Sequence, residues 1–234
     1  MRDAVALMAP HIQVRADRAN TSGGVVTNVP NSGTGGGLFT PNGTIAAPAV
    51  QANGQMGLSI SSLSRLVSSL APQSFNYLHT GAPCTVYLVA SSASLSGAQT
   101  LAATANLSGS FSVGFYLYLF NTNSFLAIGT GGTAATNPQG GTVTSGVPFA
   151  LSYFCDVAGS PDYSFKTGNS SVTGDLSSPS AGDATGALTI GTSPNGGLPA
   201  NIVFFEFLSW PRLLTTQERA TMSAYLLARY GTAS

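Results

Sequence analysis

Short β-forming runs recur along most of this chain, each ended by Gly, Asn, Pro or Ser, and only one stretch carries a helical period with a cap at both ends. This alternation limits the fold more than any other feature. "HIQVRAD" (11–17) reads as a first strand and "GLSI" (57–60) as a short one. From residue 75 the strands come in series: "CTVYLVASS" (84–92), "QTLAATAN" (99–106), "SVGFYLYLFNT" (112–122) and "SFLAIGT" (124–130). They continue with "PFALSYFCDV" (148–157), "ALTIGTS" (187–193) and "ANIVFFEFLSW" (200–210). Asn121–Asn123 reads as a hairpin turn, and "DYSFKTGNSSVTG" (162–174) as two strands joined at Thr167–Asn169. Residues 20–57 show no apolar period and are expected to be irregular, with one or two short strands. "GGTAATNPQGGTVTSG" (131–146) reads as a loop. In "SSLSRLVSSLAPQ", Leu63, Leu66, Val67 and Leu70 stand at helical spacing, so a short helix is expected before Pro72. Many short strands with almost no internal helix predict an all-β fold, an antiparallel β-sandwich.

The closing stretch is the well-specified helix. Thr215 is placed to cap it and Glu218 stands three residues later, which makes a capping box. Met222, Tyr225 and Leu226 share one face, with Leu227 and Tyr230 beside it, and Gly231 supplies the stop. A helix of this length is marginal alone in water. It is therefore expected to cover an edge or open end of the sandwich.

Charge is scarce. Charged residues are 7% of the 234 positions, against about 25% in average proteins. Net charge is zero, the single lysine is Lys166, and no basic run is present, so nucleic acid is not an expected partner. No stretch approaches the roughly 18 apolar residues of a membrane span, and the N-terminus lacks the pattern of a secretory signal. Such a weakly charged surface suits a chain docked in an assembly or a binding module.

Residues able to do chemistry are few. Glu206 has no acidic neighbour at two or four residues, and Glu218 is accounted for by the capping box, so the carboxylate pair of a glycosidase is missing. His11 and His79 have no nucleophile motif around them, and the Gly-rich runs at 33–37 and 129–133 lack the P-loop lysine. The expectation is a non-enzymatic protein with no cofactor. Calcium is the metal that Asp156, Asp162, Asp175 and Asp183 would suit, although they form no dense ligand run. Cys84 and Cys155 lie in apolar runs and read as buried thiols; a disulfide between them stays open.

The aromatic residues leave the most room for function. Tyr116, Tyr118 and Phe120 alternate with Phe115, Leu117 and Leu119, so the strand is apolar on both faces. Either both faces are packed, or a tyrosine row is free to stack on sugar rings. Trp210, at the turn before the helix, is a further candidate platform, or else packs on Tyr225 or Leu226. Tyr116, Tyr118 and Trp210 are thus the candidate glycan or partner contacts.

The order Ile190–Gly191, Gly196–Gly197, Ile202 to Phe207, Leu214–Thr215, Glu218, Tyr225–Leu226 and Arg229–Tyr230–Gly231 resembles the C-terminal part of concanavalin A-like, laminin-G-like jelly-roll domains. "VRADR" (14–18) resembles the opening of their bacterial and bacteriophage members, though Gln13 stands where an aromatic residue is common. The resemblance implies a jelly-roll β-sandwich over 58–234, closed by a helix over 215–230. Residues 1–57 would add an arm, the first strand and a Gly-rich region integrated with it. It further implies a bacteriophage virion structural protein, a head decoration (cement) protein or a tail-associated module. Its expected partners are other virion proteins such as major capsid or tail proteins, and further copies of itself. It would be made in the host cytoplasm and carried on the particle. The alternative the family offers is a carbohydrate-binding, lectin-like adhesion module with surface glycans as partners.

Overall fold

The computed structural model describes residues 5, 8–62, 64–106 and 111–232. The first part of the chain forms β1 (Ile12–Arg15), β2 (Asn20–Ser22), β3 (Val25–Pro30), β4 (Leu38–Asn42), β5 (Ala49–Val50), β6 (Met56–Ile60) and β7 (Arg65–Ser68). The middle forms β8 (Cys84–Ser92), β9 (Ala98–Ala103), β10 (Gly114–Phe120), β11 (Asn123–Gly129), β12 (Ala134–Thr136) and β13 (Gln139–Thr142). The last part forms β14 (Phe149–Cys155), β15 (Tyr163–Thr167), β16 (Ser170–Gly174), β17 (Thr189–Ile190), β18 (Ile202–Trp210) and the helix α1 (Thr216–Tyr230).

The strands make two antiparallel sheets, which gives the jelly-roll β-sandwich that the sequence predicts. An eight-stranded sheet runs β16-β15-β14-β8-β18-β6-β5, with β1 also on β18. A ten-stranded sheet runs β12-β11-β10-β9-β17-β7-β4-β3-β2, with β13 also on β11. Alternate residues of the central strands meet between the sheets. Val86 and Leu88, Leu151 and Tyr153, and Phe204 and Phe207 come from one sheet, while Leu101, Phe115, Leu117, Leu126 and Ile128 come from the other. Cys84 and Cys155 face each other across β8 and β14 as free, buried thiols. Burial pushes the Cys84 thiol up.

Three expectations about the strands need correction. The segment read as a helix before Pro72 is β7, held between β4 and β17 (Leu63 lies outside the described residues). Leu66 and Ser68 are buried while Arg65 and Val67 are half-buried, so the period that wins is two. The supposed loop at 131–146 contains β12 and β13, both paired with β11. Gly140 in β13 sits where a Cβ would come 2.6 Å from Ser124 Oγ and 2.7 Å from the Phe165 ring, so glycine there is a packing requirement. Residues 20–57 hold four complete strands and the start of β6. Strands β2 to β5 bury only Val26, Val29 and Phe39 and leave apolar residues such as Val25 and Val50 exposed, which hides the strand period.

Helix α1 begins at the expected capping box: Glu218 N donates to Thr215 Oγ1 and Thr215 N to Glu218 Oε2. It ends at Gly231, whose φ of 72° is the left-handed conformation that glycine adopts without strain. The helix lies on the outer face of the eight-stranded sheet rather than on an edge or open end. The reason is that β8, β14 and β18 are apolar on both sides. Their outward residues Tyr87, Val89, Ala150, Phe154, Phe205, Leu208 and Trp210 form a second core with Met222, Tyr225, Leu226 and Tyr230 of the helix. Each such side chain contributes roughly 1.5–3 kcal/mol when buried. Val5 and Met8, the described residues of the expected N-terminal arm before Ala9, join this cluster.

Candidate functional site

Among the described residues no helix lies over the outer face of the ten-stranded sheet, and the tyrosine row of β10 lies there. Cross-strand register aligns Tyr116 with Ala103 and Ala127, and Tyr118 with Thr100 and Phe125. A bulge in β9 opposite Leu117 and Tyr118 turns Leu101 and Ala102 inward and leaves Thr100 on the outer face. The small neighbours Ala103, Ala105 and Ala127 make room for the Tyr116 ring, and Phe111 packs on it edge-to-face at 6.0 Å. Tyr118 stacks on Phe125 at 5.1 Å, with 14° between the rings, and its hydroxyl donates to Asn137 Oδ1 at 2.9 Å. Phe120, next on the same face, is 49% exposed.

Ala98, Phe111, Tyr116, Tyr118 and Leu198 line an apolar cavity of about 250 Å³. Tyr116 is 1% exposed and its hydroxyl has no hydrogen-bond partner among the described residues; burial pushes that hydroxyl's pKa far up. Thr100 Oγ1, on the same face, is likewise buried and unpartnered. Leu198 holds a φ of 49°, a strained conformation for a branched side chain, and its carbonyl accepts from Thr100 N at 2.9 Å.

Ala98 also borders a second cavity of about 270 Å³, lined by Ser61, Ser62, Ser94, Ser96, Gln99 and Asn201 among others. Its loop is fixed by local bonds: Ser92 Oγ donates to Ser94 O, Gln99 Oε1 accepts from Asn201 N, and Gly97 N donates to Asn121 Oδ1. Gly97, at φ 69°, lets the chain turn between the two cavities. An aromatic chamber therefore adjoins a chamber of hydroxyl and amide groups, and no charged side chain lines either one.

The other sequence candidates lie elsewhere. Trp210 is 1% exposed beneath α1, edge-on to Tyr87 at 6.2 Å, and its Nε1 donates to Met8 O at 2.9 Å. The structure thus joins Tyr116 to Tyr118 and sets Trp210 in the interior of the opposite layer. Glu206 is fully buried and accepts from Gln13, Tyr225 and Tyr230. His79 is buried with Nε2 on Gly182 O, and burial lowers its pKa. Asp156 and Asp162 accept from nearby backbone N–H groups and Asp183 accepts from Asn76; Asp175 stands beside Asp162. Among the described residues no three His, Cys, Asp or Glu side chains gather as a metal site, and no helix is long and apolar enough to cross a membrane. Phe111 and Leu198 were missed by sequence reasoning, since one precedes its strand and the other stands in a Gly-Pro-rich turn.

No protein-family model matches this chain, and no curated protein matches it in sequence. Solved structures do resemble it. The binding domain of botulinum neurotoxin DC in complex with SialylT superposes with a TM-score of 0.65 at 6% identity, covering 93% of this chain and 52% of that one. A structure of botulinum neurotoxin type C, whose cell entry is dependent upon interaction with two ganglioside molecules, gives 0.67 at 8% identity, covering 96% and 53%. The CBM40 of Ruminococcus gnavus IT-sialidase bound to alpha2,3 sialyllactose gives 0.50 at 16% identity, covering 58% and 80%. The chain spans about half the length of the neurotoxin structures it matches. At these identities the likeness is one of fold: this chain is an antiparallel β-sandwich of the kind those binding domains contain.

Proposed function

We propose that the protein is a non-enzymatic carbohydrate-binding module, and that sugar rings bind on the outer face of the ten-stranded sheet at Tyr116 and Tyr118. The observation that carries this reading is the pairing of an aromatic cavity with a hydroxyl-and-amide cavity that share Ala98. A pyranose has a face of C–H groups and a rim of hydroxyls. The C–H face suits the negative face of an aromatic ring, and the rim needs donors and acceptors held in place. The Tyr116 hydroxyl is buried and has no partner among the described residues, so it can donate to a sugar only where the ligand enters the cavity that Tyr116 lines. Each cavity is smaller than the roughly 300 Å³ at which pockets for drug-sized ligands begin, so each fits about one ring. SialylT, sialyllactose and ganglioside, the molecules named with the fold neighbours, are in line with a glycan partner. The test is binding to a panel of neutral oligosaccharides, with Tyr118→Ala as the control. Retained binding in that variant overturns the site, and no binding by the parent protein overturns the reading.

We also propose a setting for this module: a bacteriophage virion, as a head decoration protein or tail-associated component in contact with capsid or tail proteins and with its own copies. What supports it is the scarcity of charge, 8 basic and 8 acidic residues in 234. Copy number in purified particles by quantitative mass spectrometry tests it. Hundreds of copies mean a coat, a few to a few dozen mean a tail or fibre, and absence removes the virion reading.

A further inference from the structure

We propose a second binding site, in the groove between α1 and the outer face of β14 and β15, that takes an acidic sugar: a pyranose carrying a carboxylate or a sulfate. It lies in the opposite sheet from the site of Tyr116 and does not depend on that reading.

The groove follows from two periodicities. One stripe of the helix, Met222, Tyr225, Leu226 and Tyr230, is buried in the second core. The neighbouring stripe, Thr216, Arg219, Ala220 and Ser223, has the spacing i, i+3, i+4, i+7 and faces a cavity of about 340 Å³. The sheet supplies the floor. Tyr87, Ser152 and Lys166 stand side by side in register across β8, β14 and β15, and Phe154 and Ser164 form the next row. Tyr87 and Phe154 meet edge-to-face at 5.8 Å and give the floor an apolar, aromatic surface.

The charges decide the ligand. In a chain with 8 basic residues, Arg15, Arg212 and Arg229 are engaged in ion pairs. Lys166 and Arg219 have no ion pair or hydrogen bond to their side chains among the described residues, and both line this one cavity. The Arg219 guanidinium lies over the Phe154 ring at 5.2 Å, which fixes its plane and leaves its N–H edge unspent. The site thus offers two free cations above an aromatic floor, which is the complement of a ring bearing one anionic group. An adjoining cavity of about 320 Å³ shares Phe154, Ser164 and Arg219 and carries Asp156 and Asp162 at its other end. Both carboxylates already accept from backbone N–H groups, of Ala158 and Leu176. The anion is therefore placed at the Lys166 end.

The experiment is amide chemical-shift mapping of the full chain with sialyllactose, galactose 6-sulfate, lactose and sodium sulfate. The expected result is that both acidic sugars shift residues 164, 166, 219 and 220, and that lactose does not. Affinity is expected to fall at least roughly tenfold in the variant Lys166→Gln/Arg219→Gln, and to weaken as salt screens the pair. Folding of the variant is checked by its melting temperature; Lys166→Gln alone, a change on a half-exposed strand position, keeps the test decisive should the double variant be unstable. Equal shifts with lactose, no shifts with the acidic sugars, or shifts that survive in a folded variant would each overturn the proposal. Shifts with sulfate alone overturn the assignment to a sugar. Shifts at 116, 118 and 198 are read separately and bear only on the site in the other sheet.

Discussion

The Asp17 carboxylate lies 2.8 Å from the Arg229 guanidinium, across 212 positions of sequence. Arg15 binds the same carboxylate, and Arg229 Nε also donates to the Tyr230 hydroxyl at 2.9 Å. Tyr230 and Tyr225 in turn donate to Glu206 Oε2 at 2.9 and 2.8 Å, and Gln13 Nε2 donates to Oε1. The segments that resemble jelly-roll domains at the two ends of the chain are therefore one polar latch holding α1 on the sheet. That makes them markers of fold, not of ligand.

Replacing Asp17 by Asn is expected to lower stability by roughly 2 kcal/mol, because charged hydrogen bonds of this kind contribute about 1.5–3 kcal/mol. In a double-mutant cycle with Arg229→Gln the two losses will not add. Additive losses in denaturant unfolding contradict the latch.

Deleting 215–231 uncovers Tyr87, Phe154, Phe205 and Trp210. The melting temperature is expected to fall steeply, with Trp210 emission shifting to the red as water reaches the ring. An unchanged melting temperature and emission maximum rule out the second core as described.

Acid is expected to loosen the same region. Burial alone would raise the Asp17 pKa, but Arg15 and Arg229 outweigh it and hold it below the usual value. Arg212 and the Thr215 cap hold Glu218 at about 2, below its ordinary 4.5. A carboxylate with a depressed folded pKa stabilises above its unfolded pKa and loses that contribution as pH falls through the folded one. Stability should therefore be flat above about pH 5 and decline from about pH 4.5 towards pH 2. The Glu218 share is small because the pair is partly exposed to solvent. A melting temperature that holds constant down to pH 2 contradicts this.

Tyr116→Phe separates binding from stability. The hydroxyl has no partner, so removing it is expected to leave stability unchanged or slightly raised. Neutral-glycan affinity is expected to fall by about tenfold, the worth of about one hydrogen bond. A loss of stability with intact binding would assign the hydroxyl a structural role.

The parts of the fold legible in the sequence are those where one local signal stood unopposed. The capping box of Thr215 and Glu218, the hairpin at Asn121 and the Gly168–Asn169 turn needed no tertiary information. Leu66, Val67 and Leu70 fit a period of 3.6 and so point to a helix, whereas the pairing of β7 with β4 and β17 is not a local property. β12 and β13 hid in a Gly-rich run whose glycines answer to Ser124 and Phe165. The site was half legible. Alternation put Tyr116 and Tyr118 on one face, but Phe111, Leu198 and the serine loop arrive from elsewhere in the chain. Lys166 and Arg219 belong to no motif in the sequence, and only the placing of β15 beside α1 brings them together.

Sugar binding at Tyr116 and Tyr118, on the outer face of the ten-stranded sheet, is what has to be measured. Isothermal titration of the parent protein and of Tyr118→Ala with the best neutral oligosaccharide from a glycan panel tests it most directly. The account predicts saturable binding, millimolar or tighter, by the parent and its loss in a variant that melts cooperatively. Binding that Tyr118→Ala retains in full, or a parent protein that binds no glycan, would contradict it.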